Sequence, residues 1–314
     1  MKLVPAFFKL IRWPNLVFIA LTQVLFYYAI VIPSFPAIYH NALRLHSSLL
    51  IYLTLSSVLI AAAGYIINDY FDLNIDQVNK PDDIVIQKII RRRWAIIWHL
   101  VLSILGVLLA AYVGWKINNI LLPLANLLCV VLLWFYSTTF KKKLLIGNVI
   151  ISLLTAWVIL VIYCCEVNLF LLKEPVYHHA MARVFKFTVI YAGFAFIISL
   201  IREVVKDMED IEGDERYGCR TMPIVWGLQA SRVFITVWMI VLTGSVIILQ
   251  IYAVLLGWWA GIIYSLALIV LPLLTLFRDL YQAKTSVDYH RLSTRIKLVM
   301  FTGILSMLFF LFYS

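Results

Sequence analysis

Nine long apolar runs dominate this sequence, and each is long enough to cross a lipid bilayer as a helix. A helix needs about 20 apolar residues to span the hydrocarbon core, and in lipid its backbone polar groups must be satisfied within the segment. The runs lie at approximately 14–32, 48–67, 94–115, 118–136, 144–163, 186–202, 231–250, 255–277 and 296–313. The sequence therefore predicts an all-α, polytopic membrane protein with nine transmembrane helices, and residues 1–314 are expected to form a single domain.

The composition excludes the main soluble alternatives. Hydrophobic residues make up 64% of the chain and charged residues only 13%, whereas soluble domains are about half apolar and about a quarter charged. A soluble globular enzyme, a disordered chain and a disulfide scaffold are therefore excluded. The net charge of +10 would favour nucleic-acid binding in a soluble protein. In a membrane protein it indicates basic cytoplasmic loops instead, so no nucleic-acid partner is expected.

The distribution of basic residues predicts the orientation. If the N-terminus is inside, 21 of the 26 Lys and Arg residues fall in inside segments and five fall outside. This asymmetry fits an odd number of spans, with a cytoplasmic N-terminus and an external C-terminus. We therefore expect an integral protein of a bacterial or archaeal inner (cell) membrane, surrounded by the lipid bilayer.

The acidic residues are concentrated far more strongly than the basic ones. Of the 16 carboxylates, five lie between Asp69 and Asp83 and seven lie between Glu203 and Glu215. These two segments follow the second and sixth apolar runs, so both are predicted to face the cytoplasm. Two acidic clusters at equivalent places indicate a shared role.

The spacing within the two clusters is identical. In each, three aspartates are separated by three and then four residues, which places them on one face of a helix. They are Asp69, Asp72 and Asp76 in the first cluster and Asp207, Asp210 and Asp214 in the second. Like charges stacked in this way destabilise an isolated helix, whereas hard cations such as Mg²⁺ take oxygen ligands and are often shared with phosphates. We expect two carboxylate stripes facing across a central cavity capped by cytoplasmic-side loops, with Mg²⁺ and a diphosphate between them. Solvated acidic loops are the alternative.

Two motifs give the chain a resemblance to the UbiA superfamily of membrane prenyltransferases. Residues 68–76, NDYFDLNID, resemble the family's NDxxDxxxD motif, and residues 210–214, DIEGD, resemble its DxxxD motif. Arg12 and Asn15 resemble the arginine–asparagine signature that opens the first helix. The family also has nine helices, so the resemblance covers nearly the whole chain.

The resemblance implies Mg²⁺-dependent transfer of an isoprenyl group from a prenyl diphosphate donor to an acceptor. The residues that it implies as metal ligands are Asn68, Asp72, Asp76, Asp207, Asp210 and Asp214. The implied substrate-binding residues are Asn15, Tyr136, Lys141, Arg202 and Lys206. Of these, Lys141, Arg202 and Lys206 would hold the diphosphate. The residues expected to act in catalysis, by stabilising charge on the leaving group, are Asp72, Asp76, Asp210, Asp214 and Lys141.

The sequence leaves the acceptor open. Residues 202–214 look most like the branch of geranylgeranylglycerol-phosphate geranylgeranyltransferases, which form an ether bond to a glycerol phosphate. Residues 79–87 depart from the family's NRPxRP pattern, because Asp83 stands where an arginine is usual and the second proline is missing. A hydrophobic or phosphorylated acceptor is expected, and an aromatic quinone precursor or a tetrapyrrole is the alternative.

A cation or solute transporter is the alternative from another class, because intramembrane acids often mark ion pathways. Transporters usually place such groups near the bilayer midplane, at broken helices. Here the acids cluster at helix ends and the centres of the spans are almost free of charge. The pattern therefore favours an enzyme with its active site toward the cytoplasm. An inactive membrane scaffold is a third interpretation.

Overall fold

The computed structural model describes residues 3–168 and 170–313, which are mostly helical. Within them, nine helices are long and apolar enough to span a membrane, so the all-α prediction with nine spans is confirmed. They are α2 (Trp13–Ser34), α3 (Ser47–Asn79), α4 (Arg92–Lys116), α5 (Leu121–Thr138), α6 (Ile146–Glu166), α7 (Pro175–Glu209), α10 (Gly227–Leu255), α11 (Trp259–Gln282) and α12 (Ser286–Phe312). The short helices are α1 (Leu3–Leu10), α8 (Ile211–Arg216) and α9 (Met222–Val225).

Several helices extend beyond the apolar runs because local signals, rather than hydropathy, decide where a helix begins and ends. The helix α7 begins at Pro175, in the first turn, where the missing N–H of proline is not needed. The helix α12 begins at Ser286, because Thr285 and Asp288 form a reciprocal capping box there. At their other ends, α3 continues to Asn79 and α7 to Glu209, which carries both helices into the acidic segments.

The helix α3 is central to the first half of the bundle, where it packs against α2, α4 and α5. It approaches α4 closely at Gly106. A β-carbon at Gly106 would lie 2.7 Å from Ile60 Cγ1, and Ser56 Oγ donates a hydrogen bond of 2.7 Å to the carbonyl of Gly106. Small residues allow transmembrane helices to approach in this way. The close contact fixes the position of the helix that carries the first motif.

The helix α7 is central to the second half, where it packs against α6, α10 and α12. Its C-terminal end meets the C-terminal end of α3, since Asn79 Nδ2 donates a 3.0 Å hydrogen bond to the carbonyl of Asp210. We call this end of the bundle the motif end. Both acidic segments therefore lie together, as the sequence predicts.

At the opposite end, a buried carboxylate fixes the loop that leads into α3. The oxygens of Glu166 accept hydrogen bonds from the backbone N–H groups of Arg44 (2.9 Å) and Leu45 (3.0 Å). The guanidinium of Arg44 donates to the carbonyls of Val167 and Ile117. Polar groups that would be orphaned in an apolar setting are thus satisfied by one another.

We predict that Glu166→Ala lowers the free energy of unfolding by roughly 2 kcal/mol or more, because it leaves two backbone donors without a partner. Thermal unfolding of the purified protein in detergent measures the effect. The exposed Glu174, on the same end of the molecule, is the matched control, and Glu174→Ala should unfold at the wild-type temperature. Equal unfolding temperatures for both variants would contradict the prediction.

Candidate active site

The first acidic segment occupies the last turns of α3, where Asp69, Asp72 and Asp76 line a cavity of about 710 Å³ at the motif end, here called the polar cavity. Asp69 forms an ion pair of 2.7 Å with Arg12, and Asp72 forms one with Lys141. The pair with Asp69 raises the pKa of Arg12 well above its ordinary value, despite its burial. The predicted single face of aspartates is therefore present on α3.

Asn68 adds an uncharged oxygen to this segment. Its Nδ2 donates a 2.8 Å hydrogen bond to Asp72 Oδ2. Its Oδ1 is buried and has no hydrogen-bond partner among the described residues. A buried acceptor of this kind normally has a partner, so Asn68 Oδ1 is available to a ligand.

The prediction of a second continuous stripe was wrong. The helix α7 ends at Glu209, Asp210 adopts φ −99° and ψ 11° between helices, and Asp214 lies on the separate helix α8. The spacing of three and four residues therefore does not continue along one helical face. The cavity still collects the whole segment, because α8 folds against the end of α3 and brings Asp214 to the wall that Asp207 and Asp210 also line.

Asn79 joins the two acidic segments across the break in the helix. Its Nδ2 donates to the carbonyl of Asp210 at 3.0 Å, and its Oδ1 accepts from the N–H of Gly213 at 2.8 Å. A β-carbon at Gly213 would lie 2.6 Å from the Asn79 carboxamide, so the close approach requires glycine. We call this contact the Asn79 clasp. Sequence analysis assigned Asn79 only to an atypical loop.

The loop that carries Lys141 is anchored on both sides. Gly147 packs so closely that a β-carbon there would lie 2.8 Å from the Cα of Lys141. The carbonyl of Lys142 accepts a 2.8 Å hydrogen bond from the N–H of Arg220, beyond the second motif. The predicted lysine is thus held against Asp72 by backbone contacts to two other segments.

On α7, one carboxylate binds both of the predicted basic residues. Glu203 accepts a 2.9 Å hydrogen bond from Arg202 Nη1 and lies 3.6 Å from Lys206 Nζ. One turn further on, Asp207 accepts from Asn148 Nδ2 at 2.8 Å. Sequence analysis gave Glu203 no role, although its spacing of three residues to Lys206 is a signal for such a pair.

Lys80 is a third residue, after Asn79 and Glu203, to which the sequence assigned no role in the site. Its Nζ lies 2.9 Å from Asp210 Oδ1 and 3.0 Å from Glu209 Oε1. Burial lowers the pKa of Lys80, but the two carboxylates outweigh it and the net shift is upward. Lys80 lies within residues 79–87, which depart from the family pattern. That departure was the signal in the sequence that could have pointed to Lys80.

In the second motif, burial and neighbouring carboxylates disfavour the ionised form of the aspartates. Burial, followed by repulsion from Asp210 and Asp72, raises the pKa of Asp214 to about 7. Burial also raises the pKa of Asp210, although Lys80 opposes it. Carboxyl groups under these conditions favour a bound cation.

A second, apolar cavity of about 280 Å³ adjoins the polar cavity. Its walls come from α2, α3, α5, α6, α7 and α12, and they include Trp157, Tyr191, Phe194 and Met307. Eight residues line both cavities, and we call them the rim: Arg12, Asn15, Asn68, Tyr136, Arg202, Glu203, Lys206 and Lys297. The chain thus combines a charged chamber with an apolar one through a shared border.

The structure places every predicted site residue around the polar cavity. These residues are Asn15, Asn68, Asp72, Asp76, Tyr136, Lys141, Arg202, Lys206, Asp207, Asp210 and Asp214. They come from four of the spanning helices (α2, α3, α5 and α7), the loop that carries Lys141, the turn at Asp210, and α8. The sequence signals therefore converge in space.

A family model described as the UbiA prenyltransferase family matches residues 30–305. The chain belongs to this family. Together with the nine apolar helices, membership identifies an integral membrane protein. The resemblance seen in the sequence motifs is therefore confirmed.

Similar UbiA proteins come from archaea. A digeranylgeranylglyceryl phosphate synthase of Methanothermobacter thermautotrophicus is 31% identical over 179 residues, which are 57% of this chain and 56% of that protein. The match therefore spans little more than half the length of this relative. The synthase of Korarchaeum cryptofilum is 29% identical over 272 residues, covering 85% of this chain and 88% of that protein.

Solved structures of UbiA proteins share the fold. A digeranylgeranylglyceryl phosphate synthase superposes with a TM-score of 0.61 at 23% identity, covering 98% of this chain and 99% of that one. A UbiA homolog from Archaeoglobus fulgidus bound to DMAPP and Mg²⁺ superposes with a TM-score of 0.56 at 15% identity, covering 96% and 98%. The nine-helix arrangement is thus that of the family.

We predict that Gly213→Ala destabilises the protein by about 1–3 kcal/mol, because the added methyl group collides with the Asn79 clasp. Adding Asn79→Ala should cost less in the Gly213→Ala background than in wild type, since the two residues are in contact. Thermal unfolding of the two single variants and the double variant measures this coupling. Gly193→Ala is the control, because a β-carbon there meets nothing within 4 Å. Strict additivity would show that the clasp does not exist.

Proposed function

We propose that this protein is a Mg²⁺-dependent prenyltransferase that moves an isoprenyl group from a prenyl diphosphate to an acceptor hydroxyl. The observation that carries the proposal is the pair of adjoining cavities. One is polar and contains both acidic motifs, and the other is apolar and opens from the same rim. A prenyl diphosphate has the same division between a charged head and an apolar chain.

The residues present fit Mg²⁺. Asp72, Asp76, Asp210 and Asp214 line one chamber, and Asn68 Oδ1 is a buried oxygen there that has no hydrogen-bond partner among the described residues. Among the described residues, no three acidic, histidine or cysteine side chains converge on one point. Each ion would therefore take one or two protein oxygens and complete its shell with water and phosphate, as Mg²⁺ usually does. We assign the metal to these five residues, with Asp207 as a further ligand.

Bound Mg²⁺ would neutralise charge on the diphosphate and make it a better leaving group. Lys141, held by its anchored loop, donates to the diphosphate and stabilises the charge that develops as the allylic C1–O bond breaks. The electron pair of that bond leaves with diphosphate. The acceptor oxygen bonds to C1, and the hydroxyl proton is released to solvent. Asn15 and Tyr136, on the rim, lie where donor and acceptor would meet.

The apolar cavity supplies the other requirement of this reaction. An allylic cation is trapped by water unless its surroundings are dry. Trp157, Tyr191 and Phe194 line the cavity and offer ring faces that attract a cation. The walls therefore both hold the isoprenyl chain and protect the reacting carbon.

The names of the relatives support an acceptor built on glycerol phosphate, such as geranylgeranylglycerol phosphate. An aromatic quinone precursor or a tetrapyrrole is the alternative acceptor. The basic residues of the motif end support a cytoplasmic active site in a cell membrane, with residues 1–314 acting as one domain. A transporter is disfavoured, because the acidic clusters lie at one end of the bundle rather than at its midplane.

We predict that Asp72→Asn and Asp210→Asn each lower prenyl transfer by about 100-fold or more, since each removes charge that must be present at the leaving group. Transfer of a labelled isoprenyl group by purified protein, with and without EDTA, measures this loss. Glu212→Gln is the control, because Glu212 lies within the second motif but is exposed on α8 and does not line the cavity. Full activity of both aspartate variants would refute the two-motif mechanism.

We predict that Ala195→Phe shifts the donor preference toward shorter isoprenyl chains. Ala195 lines the apolar cavity two turns of α7 from Arg202, so a phenyl ring there shortens the space for the chain. The ratio of kcat/KM for a long donor to that for a short donor should fall several-fold. Val189→Phe, on the outer face of the same helix and 51% exposed, should leave the ratio unchanged. An unchanged ratio in Ala195→Phe would show that the donor chain binds elsewhere.

A further inference from the structure

The rim carries more positive charge than its own acids balance. Four of its residues are cationic, namely Arg12, Arg202, Lys206 and Lys297, whereas Glu203 is its one carboxylate. Arg12 is balanced by Asp69 outside the rim. Glu203 is shared between Arg202 and Lys206. An excess of positive charge therefore remains at the border between the two cavities.

Lys297 is the clearest source of this excess. It lies partly buried on α12, and its Nζ is 5.3 Å from the centroid of the Phe18 ring. No carboxylate among the described residues is within ion-pair distance of it. Arg12, Arg202 and Lys206 line the same rim as Lys297. Like charges gathered in a low-dielectric setting are unfavourable unless an anion joins them.

Arg202 has a further hydrogen-bond donor that an anion with several oxygens could satisfy. Its Nη1 donates to Glu203, but its Nε is buried and has no hydrogen-bond partner among the described residues. A phosphate group presents several oxygens to a guanidinium and to ammonium groups at the same time. Arg202 and Lys297 both belong to the rim, and among the described residues neither the Arg202 Nε nor the Lys297 ammonium has an acidic partner.

We propose that Lys297 and Arg202, assisted by Lys206, form a second anion site that binds the phosphate monoester of the acceptor. This inference rests on the proposed function and differs from the sequence-based expectation, which assigned Arg202 and Lys206 to the diphosphate. A metal-bound diphosphate is drawn to the carboxylates and to Lys141. A phosphate that brings no metal binds instead where basic side chains outnumber acidic ones, as they do on the rim.

The position of the site suits an amphiphilic phosphate. The rim faces the polar cavity on one side and the apolar cavity on the other. A phosphate held there leaves an attached alkyl or isoprenyl chain beside apolar walls and a glycerol hydroxyl near the place where the donor would react. The proposed ligand class is therefore an alkylglycerol phosphate rather than free phosphate.

The test is a binding measurement without Mg²⁺, so that it does not depend on prenyl transfer. Thermal unfolding in a nonionic detergent with EDTA is followed against increasing concentrations of an alkylglycerol phosphate, the same alkylglycerol without phosphate, free glycerol phosphate and an aromatic hydroxycarboxylate. Wild type should be stabilised most by the alkylglycerol phosphate. Lys297→Met and Arg202→Gln should each weaken its binding roughly tenfold or more.

Three further variants make the outcome specific. Lys297→Arg keeps the charge and should restore binding. Arg291→Met removes an exposed charge from the same helix and should bind as wild type does. Asp210→Asn should retain the alkylglycerol phosphate while losing the Mg²⁺-dependent stabilisation by prenyl diphosphate.

The proposal is overturned if wild type does not prefer the phosphorylated lipid, if the aromatic carboxylate binds better, or if Lys297→Met binds the phosphorylated lipid normally. It is also overturned if Lys297→Met weakens the prenyl diphosphate as strongly as the alkylglycerol phosphate. Binding that depends on Lys297 supports the site even when no prenyl transfer is detected. Failure of the proposed function is thus distinguishable from failure of this inference.

Discussion

Charge has to be balanced inside a bundle that lipid surrounds, and the motif end of this protein is organised by that constraint. An isolated buried charge is strongly unfavourable, whereas a pair or a bound counter-ion is tolerated. Asp69 is balanced by Arg12, and Asp72 by Lys141. The pairs join α3 to the turn between α1 and α2 and to the lysine loop, so the electrostatic requirement also fixes the geometry.

The same constraint separates the two kinds of ligand that the cavities favour. Acids exceed bases around Asp76 and Asp214, which makes that part of the polar cavity suited to a divalent cation. Bases exceed acids on the rim around Lys297, which makes that part suited to an anion. A donor that brings metal and an acceptor that brings phosphate can then be distinguished by charge alone.

Backbone contacts keep these groups in position. The Asn79 clasp links the end of α3 to the turn between α7 and α8, and the carbonyl of Lys142 accepts from Arg220. Three segments far apart in the chain are thereby tied together by hydrogen bonds with short, defined distances. Such support matters because a catalytic group displaced by about 1 Å can lose most of its effect.

The amino-acid sequence by itself determined the nine spans and the two acidic motifs that line the polar cavity. The length of each apolar run can be compared directly with the thickness of the bilayer. The two acidic motifs are recognised by residue types at fixed spacing. Only the tertiary structure decided which of those residues lie next to one another. At the break before Asp210, the N–H of Gly213 donates to Asn79 Oδ1, and the carbonyl of Glu209 accepts from Ser286 Oγ, so partners from other helices satisfy these two groups. The pairing of Lys80 with Asp210 and the position of Lys297 over the Phe18 ring depend on helices far apart in the chain. Local spacing carries no information about such neighbours, because they are set by packing between helices.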